Sequence, residues 1–303
     1  MLQQGLIAAA IAVQMSLGQA MLRPDPPIKC SNCDEWNEPI EPFQVYANTY
    51  YVGTAGLSAL LVTGEAGHIL LDGGLSQSAP LIAASIRKLG FKLEDVKVIL
   101  NSHAHYDHAA GIAALQRASG ATVVSSASGA QGFAMGNAVP DDPQAGFGNN
   151  DFPAVKNVRV VKDKEMVRLG SIAVQMHNTA GHTPGSTTWT WQSCVDAKCL
   201  NLVYADSISA VAAPGFRFTG DAKTPSRVEQ FRKSITTVGE LPCDIMITTH
   251  PMATDLAGKL KKRAAKPAVD PFIDPQACRV LAANAMKALD ARIAEEKKSE
   301  IRN

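Results

Sequence analysis

His103-Ala104-His105-Tyr106-Asp107-His108 packs four candidate metal ligands into six residues, directly after the strand-like run Val96-Lys97-Val98-Ile99-Leu100. The chain carries seven histidines in 303 residues, and three of them stand here. His103 and His105 alternate, so in extended backbone both imidazoles leave the same side. Asp107 and His108 follow where the chain must turn, which aims them at a second point nearby. One ion cannot easily use four side chains packed this tightly, whereas two neighbouring ions can. The H-x-H-x-D-H spacing therefore predicts a binuclear zinc site of the hydrolytic kind. A surface loop that happens to be rich in histidine is the plainer alternative, and the apolar lead-in argues against it. The helix-forming run Ala109 to Leu115, closing near Gly120, puts the cluster at a strand end and a helix start, where α/β proteins place chemistry.

Two more histidines follow apolar strands. His182 lies in Thr179-Ala180-Gly181-His182-Thr183-Pro184-Gly185-Ser186, where Gly181, Pro184 and Gly185 predict a tight turn that holds one imidazole still. His250 ends Ile245-Met246-Ile247-Thr248-Thr249-His250-Pro251, and Pro251 stops the strand. With the first cluster they supply His103, His105 and His182 for one zinc, and Asp107, His108 and His250 for the other. Three protein ligands per ion leave positions for water and substrate, which marks a catalytic zinc rather than a structural one.

Around these ligands the pattern predicts strands at Phe43–Tyr46, Tyr50–Val52, Ser58–Thr63 and His68–Leu71, then a helix at Ser78–Leu89 closed by Gly90. A strand at Ala121–Val124 follows the metal motif. Gly136 to Pro153 is rich in Gly, Asn, Asp and Pro and reads as a long mobile loop. A second half then repeats the order, with strands at Val158–Val161, Ile172–His177, Thr187–Trp191, Leu200–Tyr204 and Asp244–Thr248. Helices fall at about Ser226–Val238 and Pro275–Lys298. Strands then helix, twice over and without a linker, predict an α/β fold of two sheets face to face with helices outside, in a single domain from 21 to 303. Trp189 and Trp191 alternate with threonine and are expected in the core. His68 and His177 have no companion ligands and read as ordinary hydrogen-bonded histidines. Trp36 lies where an N-terminal loop would border the cleft.

Lys and Arg number 29 against 28 Asp and Glu, a net charge of +1, with no basic stripe of the kind a nucleic-acid surface needs. A small-molecule substrate fits better. Residues 1–20 carry no charge, hold an apolar run from Leu6 to Val13 and end Gly18-Gln19-Ala20, the pattern of a cleaved export signal, although no Lys or Arg precedes the run. That run is too short to span a bilayer, so no stable membrane anchor is expected. Six cysteines suit an oxidising compartment and allow fifteen pairings. Cys194 and Cys199 bracket a polar turn and would staple a hairpin. Cys30 and Cys33 would close a small loop or bind a metal, but no second C-x-x-C completes a zinc ribbon. Cys243 and Cys278 would tie the last core strand to the C-terminal helix.

The full set resembles the metallo-β-lactamase superfamily, and most of all subclass B3. The residues carrying the resemblance are His103 to His108, Gly181-His182-Thr183-Pro184-Gly185, Tyr204-Ala205-Asp206-Ser207-Ile208-Ser209-Ala210, and Thr249-His250-Pro251. It extends from about Tyr46 to the C-terminal helix. It implies an αββα sandwich and a periplasmic monomer with two Zn2+ that opens the lactam amide of β-lactam antibiotics, carbapenems included, through a metal-bound hydroxide, conferring resistance. Asp107 would bind zinc and orient the nucleophile, and Ser207 and Ser209 would meet the substrate carboxylate. In subclass B1 a cysteine ligand stands where Ser207 stands here. Cys243–Cys278 and Cys194–Cys199 resemble disulfides of relatives. The partner that some relatives offer to an N-terminal cysteine is Ala55 here, which leaves Cys30 with Cys33. Asp206 resembles the bridging aspartate of superfamily thioesterases, although beside Ser207 and Ser209 a supporting hydrogen bond is the better expectation. Asp72 in Leu71-Asp72-Gly73-Gly74 resembles the superfamily's strand-end aspartate, structural rather than a ligand. A thioester or lactone hydrolase on the same scaffold is the nearest rival. A nuclease would want more basic surface, and a zinc-binding protein without turnover would want a closed shell or a lost ligand.

Overall fold

The computed structural model describes residues 22–301 apart from 149 and 223, so the expected export signal lies outside the described residues. Twelve strands form among them: β1 (Phe43–Tyr46), β2 (Thr49–Tyr51), β3 (Leu60–Val62), β4 (His68–Leu71), β5 (Val96–Leu100), β6 (Thr122–Ser125), β7 (Arg159–Val160), β8 (Met166–Leu169), β9 (Ile172–Asn178), β10 (Thr187–Val195), β11 (Lys198–Ala205) and β12 (Ile245–Thr248). The α-helices are α1 (Cys33–Trp36), α2 (Ser78–Lys88), α3 (Tyr106–Ala109), α4 (Ile112–Ser119), α5 (Ala127–Met135), α6 (Val228–Glu240), α7 (Leu256–Ala264) and α8 (Ala277–Ile301). No helix among the described residues is long and apolar enough to cross a membrane.

One sheet runs β1 to β7 in order, and the other runs β12-β11-β10-β9-β8. Both are mixed: β4 to β7 pair in parallel after an antiparallel meander, and β11 pairs in parallel with β12 alone. Their strands read as apolar runs rather than alternations because both faces are covered. Along β3 to β6, Leu61, Leu70, Ile99 and Val123 pack with α2 and α4. Their neighbours Leu60, Ile69, Leu71, Leu100 and Val124 pack with Val174, Met176, Trp189, Trp191 and Ile247 of the facing sheet. On the far side, Val203, Ala205 and Met246 pack with Phe231, Ile235 and Val238 of α6 and with Cys278, Ala282 and Leu289 of α8. The result is the expected αββα sandwich.

The two tryptophans are buried, and each indole N–H bridges the sheets: Trp189 Nε1 donates to Asn101 O at 3.0 Å and Trp191 Nε1 to Thr49 Oγ1 at 3.0 Å. All three cysteine pairs are disulfides: Cys30–Cys33, Cys194–Cys199 across the β10–β11 turn, and Cys243–Cys278 from the start of β12 to α8. His177 Nε2 lies 2.8 Å from Thr190 Oγ1, as an ordinary structural histidine does.

Three features depart from the sequence expectation. The strand expected at Val158–Val161 is the two-residue β7, and it extends the first sheet beside β6 instead of opening the second. Helices α1, α5 and α7 and strand β8 are absent from the sequence expectation, and Trp36 ends α1 rather than lying in a loop. The segment read as a mobile loop is pinned: Phe152 N donates to Gly136 O at 2.8 Å, Asn137 Nδ2 to Asp151 at 2.7 Å, and Asp142 and Asn150 are buried.

Trp189 fills the space between the sheets with no exposure, so Trp189→Ala should cost about 3–5 kcal/mol, the range for emptying a core aromatic site. Urea denaturation checks this, and a loss below about 1 kcal/mol would contradict the packing described.

Candidate metal centre

The centre is built at the ends of β4, β5, β9, β11 and β12, where strands stop and their last side chains converge. β4 ends at Asp72, whose backbone takes a left-handed conformation (φ 59°) and turns its carboxylate inward. Four donors meet it. Ser102 N and Asn101 Nδ2 donate to Oδ1 at 2.8 and 3.2 Å, and Ser102 Oγ and Tyr204 OH to Oδ2 at 2.7 and 2.8 Å. Asn101 also donates to His103 O at 2.8 Å. The backbone just before the histidine cluster is thus fixed by a buried carboxylate, as the structural expectation for Asp72 required.

α3 then lifts Asp107 and His108 into the site, with His105 in extended backbone as its N-cap. Gly111 follows because a Cβ there would lie 2.1 Å from Gly73 O, too close for any side chain. Gly181 is required likewise: a Cβ would strike the Phe231 ring at 2.0 Å. That close seat sets His182 in a turn braced by Thr183 N to Ser186 Oγ at 3.1 Å and Gly185 N to Thr183 Oγ1 at 3.1 Å. His250 is aimed by its Nδ1, which donates to Gly56 O at 3.3 Å.

All six expected ligands come together. Ligand atoms of His103, His105 and His182 lie within 4.8 Å of one another, as do those of His103, Asp107 and His108. Asp107 Oδ2 is 3.3 Å from His108 Nε2 and 3.3 Å from His250 Nε2, and the two nitrogens are 3.3 Å apart. A tetrahedral ion with bonds of about 2.0–2.1 Å separates its ligand atoms by about 3.3–3.4 Å. This triangle has the edge lengths of a face of such a tetrahedron. His103 Nε2 is buried without a hydrogen-bond partner, while its Nδ1 is 2.7 Å from Asp206 Oδ1. The remaining ring nitrogens have partners suited to support: His105 Nε2 is 3.2 Å from both oxygens of Asp142, and His182 Nδ1 is 3.1 Å from Ser209 O. Such outer partners fix the tautomer and orientation of ligating imidazoles.

Charge tells the same story. Burial, and then the neighbouring His108 and His105, hold His103 well below the ordinary histidine range. Burial with His103 and His105 beside it brings His182 down to about 3. Both rings are thus neutral, as ligands must be. Burial alone would raise Asp107, but His108 and His250 overcome it and keep the carboxylate ionised. Burial would lower His108, yet Asp107, Asp72 and Asp206 raise it to about 9. Three nearby carboxylates thus favour positive charge at His108.

A cleft of about 750 Å3 opens onto the cluster. Ser207 and Ser209 line it. Ser207 Oγ is 2.9 Å from Thr249 Oγ1, and Ser209 Oγ is 3.1 Å from His182 Nδ1. Trp36 borders it as expected, its ring 5.2 Å from that of His250. Met252 forms a second wall, and Leu281 and Ala285 of α8 a third. Gln144 and Asn150, in the pinned loop, also reach it. Nothing in their spacing marked these two in the sequence.

Comparison with known proteins agrees with this geometry. A family model for the metallo-beta-lactamase superfamily matches residues 53–195. The Rm3 metallo-beta-lactamase is 48% identical, over 89% of this chain and 99% of its own, with a TM-score of 0.85. MEM-A1, a subclass B3 metallo-beta-lactamase from a soil metagenome library, is 48% identical over 87% and 99%, with a TM-score of 0.83. A hydroxyacylglutathione hydrolase of Anaeromyxobacter dehalogenans (strain 2CP-C) is 33% identical over 132 residues, 44% of this chain. The chain spans only 39% of the length of that curated relative.

In metal-free protein the two groups act in opposite directions. His108, raised to about 9, stabilises the fold fully below the unfolded value of 6.5, and that stabilisation is lost as pH rises through about 9. His182, lowered to about 3, costs nothing above 6.5 and destabilises as pH falls from there. EDTA-treated protein should therefore resist urea best near neutrality. His108→Asn should lose most of the alkaline decline, and an unchanged decline in that variant would refute the assignment.

Proposed function

The chain belongs to the metallo-β-lactamase superfamily, and from there we propose that it is a zinc β-lactamase of subclass B3 with two ions per chain. The observation that carries the reading is the pairing of an all-histidine cluster with an Asp107–His108–His250 triangle of tetrahedral dimensions. His103, His105 and His182 would hold one ion, and Asp107, His108 and His250 the other. Zinc bound there supplies Lewis acidity, lowering the pKa of water toward neutrality and polarising the lactam carbonyl.

The chain's own residues do the rest. Asp107 stays ionised, so it accepts an O–H hydrogen bond and orients the attacking water toward the carbonyl carbon. The Ser207 and Ser209 hydroxyls stand on the cleft wall, where they donate to the substrate carboxylate. His182 takes its backbone partner from Ser209 O, which leaves the Ser209 hydroxyl able to turn to substrate. Trp36 and Met252 shield the reacting amide from bulk water. No cysteine stands at 207, in keeping with subclass B3 rather than B1. We propose carbapenems among the substrates, export to the periplasm and a role in antibiotic resistance. Three disulfides and an uncharged, apolar leader support the export.

Thioester hydrolysis is the second reading, favoured by one partial relative. Asp206 Oδ1 is 2.7 Å from His103 Nδ1, while its Oδ2 is buried without a hydrogen-bond partner.

Mature protein should hydrolyse a carbapenem and nitrocefin, lose that activity in EDTA and regain it with Zn2+. S-lactoylglutathione should be a poor substrate, and a preference for it would reverse the assignment. Asp107→Ala should lower kcat at least about 100-fold, as for loss of a group acting on the nucleophile. Ser209→Ala should act mainly through KM, by about 10-fold, the lower end of what one hydrogen bond to a charged group contributes. Equal losses in the two variants would contradict the roles given.

A further inference from the structure

The loop from 137 to 153 enters the cleft on one side of the all-histidine cluster, and a single carboxylate joins the two. Asp142 is 5% exposed. Both its oxygens lie 3.2 Å from His105 Nε2, which leaves Nδ1 of that ring for the cluster. Its Oδ1 also accepts from Gln144 N at 2.7 Å. The loop closes around this point. Asp142 N donates to Val139 O at 2.9 Å, Ala145 N to Asp142 O at 3.1 Å, and Ala213 N to Pro143 O at 2.9 Å. Asn150 Nδ2 donates to Gln144 O at 2.8 Å. The Gln144 side chain thereby comes to rest in the cleft, its amide nitrogen 3.2 Å from His182 Nε2.

We propose that Asp142 is a positioning residue that couples the two halves of the cleft, orienting His105 for zinc while seating the loop that presents Gln144 to substrate. The inference rests on the reading of the histidine cluster as a zinc site. Because one carboxylate serves both ends, zinc binding and loop order are linked, and each must strengthen the other. A purely structural loop anchor would leave zinc affinity unchanged. A purely local support of His105 would leave the loop unchanged.

The test uses the full mature chain and needs no β-lactam. Zinc affinity is measured by competition with a chromophoric chelator, and loop order by the rate of chymotryptic cleavage at Phe147, an exposed residue of the loop. Wild-type protein that binds no zinc would overturn the site reading itself, before any variant is compared. Given binding, Asp142→Asn should weaken zinc binding at the all-histidine cluster about 10- to 100-fold, the usual effect of losing a carboxylate behind a ligating histidine. The same variant should be cleaved faster at Phe147. Gln144→Ala spares the carboxylate and frees His182 Nε2 from the Gln144 amide, so it should not lower zinc affinity. Folded Asp142→Asn with wild-type zinc affinity, or with unchanged cleavage, overturns the coupling. If the variant does not fold, wild-type protein still decides: added zinc should slow cleavage at Phe147, and an unchanged rate refutes the linkage.

Discussion

The buried carboxylate of Asp72 is the contact on which the rest of the centre depends. It sits at the end of β4 without exposure to water, and burial pushes its pKa up to about 6. Leaving such a group unpaired would be costly, so the fold surrounds it with donors from β11 and from the segment just before the histidines. That requirement draws both sheets to one point. Tyr204 belongs to the second sheet and Ser102 to the connection after the first, and a shared oxygen holds them 2.7–2.8 Å from it. Ligands from separate strands can only meet if the sheets are locked at this end, and polar contacts as well as the apolar interlayer lock them.

Metal chemistry then follows from strand ends rather than from strand interiors. A side chain in mid-strand is committed to one face by the pleat, whereas a terminal residue can be turned by the loop that follows. His182 and His250 are each turned by a neighbour that admits no alternative: Gly181 against Phe231, and Pro251 at the start of a 3-10 turn. Rigid turns of this kind hold the imidazoles close together, at the expense of local crowding.

Much of this was legible in the sequence, and the reasons for the gaps are physical. The His103–His108 spacing, the two strand-end histidines and the apolar runs each carry a local signal; the apolar runs form the two sheets, and the six side chains converge at their ends. Helix α5 has no such signal. Its Gly129 and Gly132 lower helix propensity, yet both are demanded by contact, since Cβ atoms there would lie 2.1 Å from Ser125 Oγ and 2.9 Å from Ala104 Cβ. Tertiary crowding overrode propensity. β8 is short and half-buried and draws its pairing from β9 alone, so alternation was too brief to read. Asp142 follows Asp141 in a loop full of polar residues. Nothing in the chain distinguishes the buried aspartate from its exposed neighbour until the fold brings His105 beside it.

Segments from both the N-terminal and the C-terminal parts of the chain line the mouth of the cleft. Trp36, just after the Cys30–Cys33 disulfide, forms one jamb, and Leu281 and Ala285 of the final helix form the other. The stretch that bears the family signature, 53–195, holds neither, and it also leaves out Asp206 and His250. An excised catalytic core is thus not available from this architecture. Truncation that removes Trp36 or the turn of α8 bearing Leu281 and Ala285 would reshape the doorway, whereas the disulfide-closed tip between β10 and β11 lies at the opposite end of those strands.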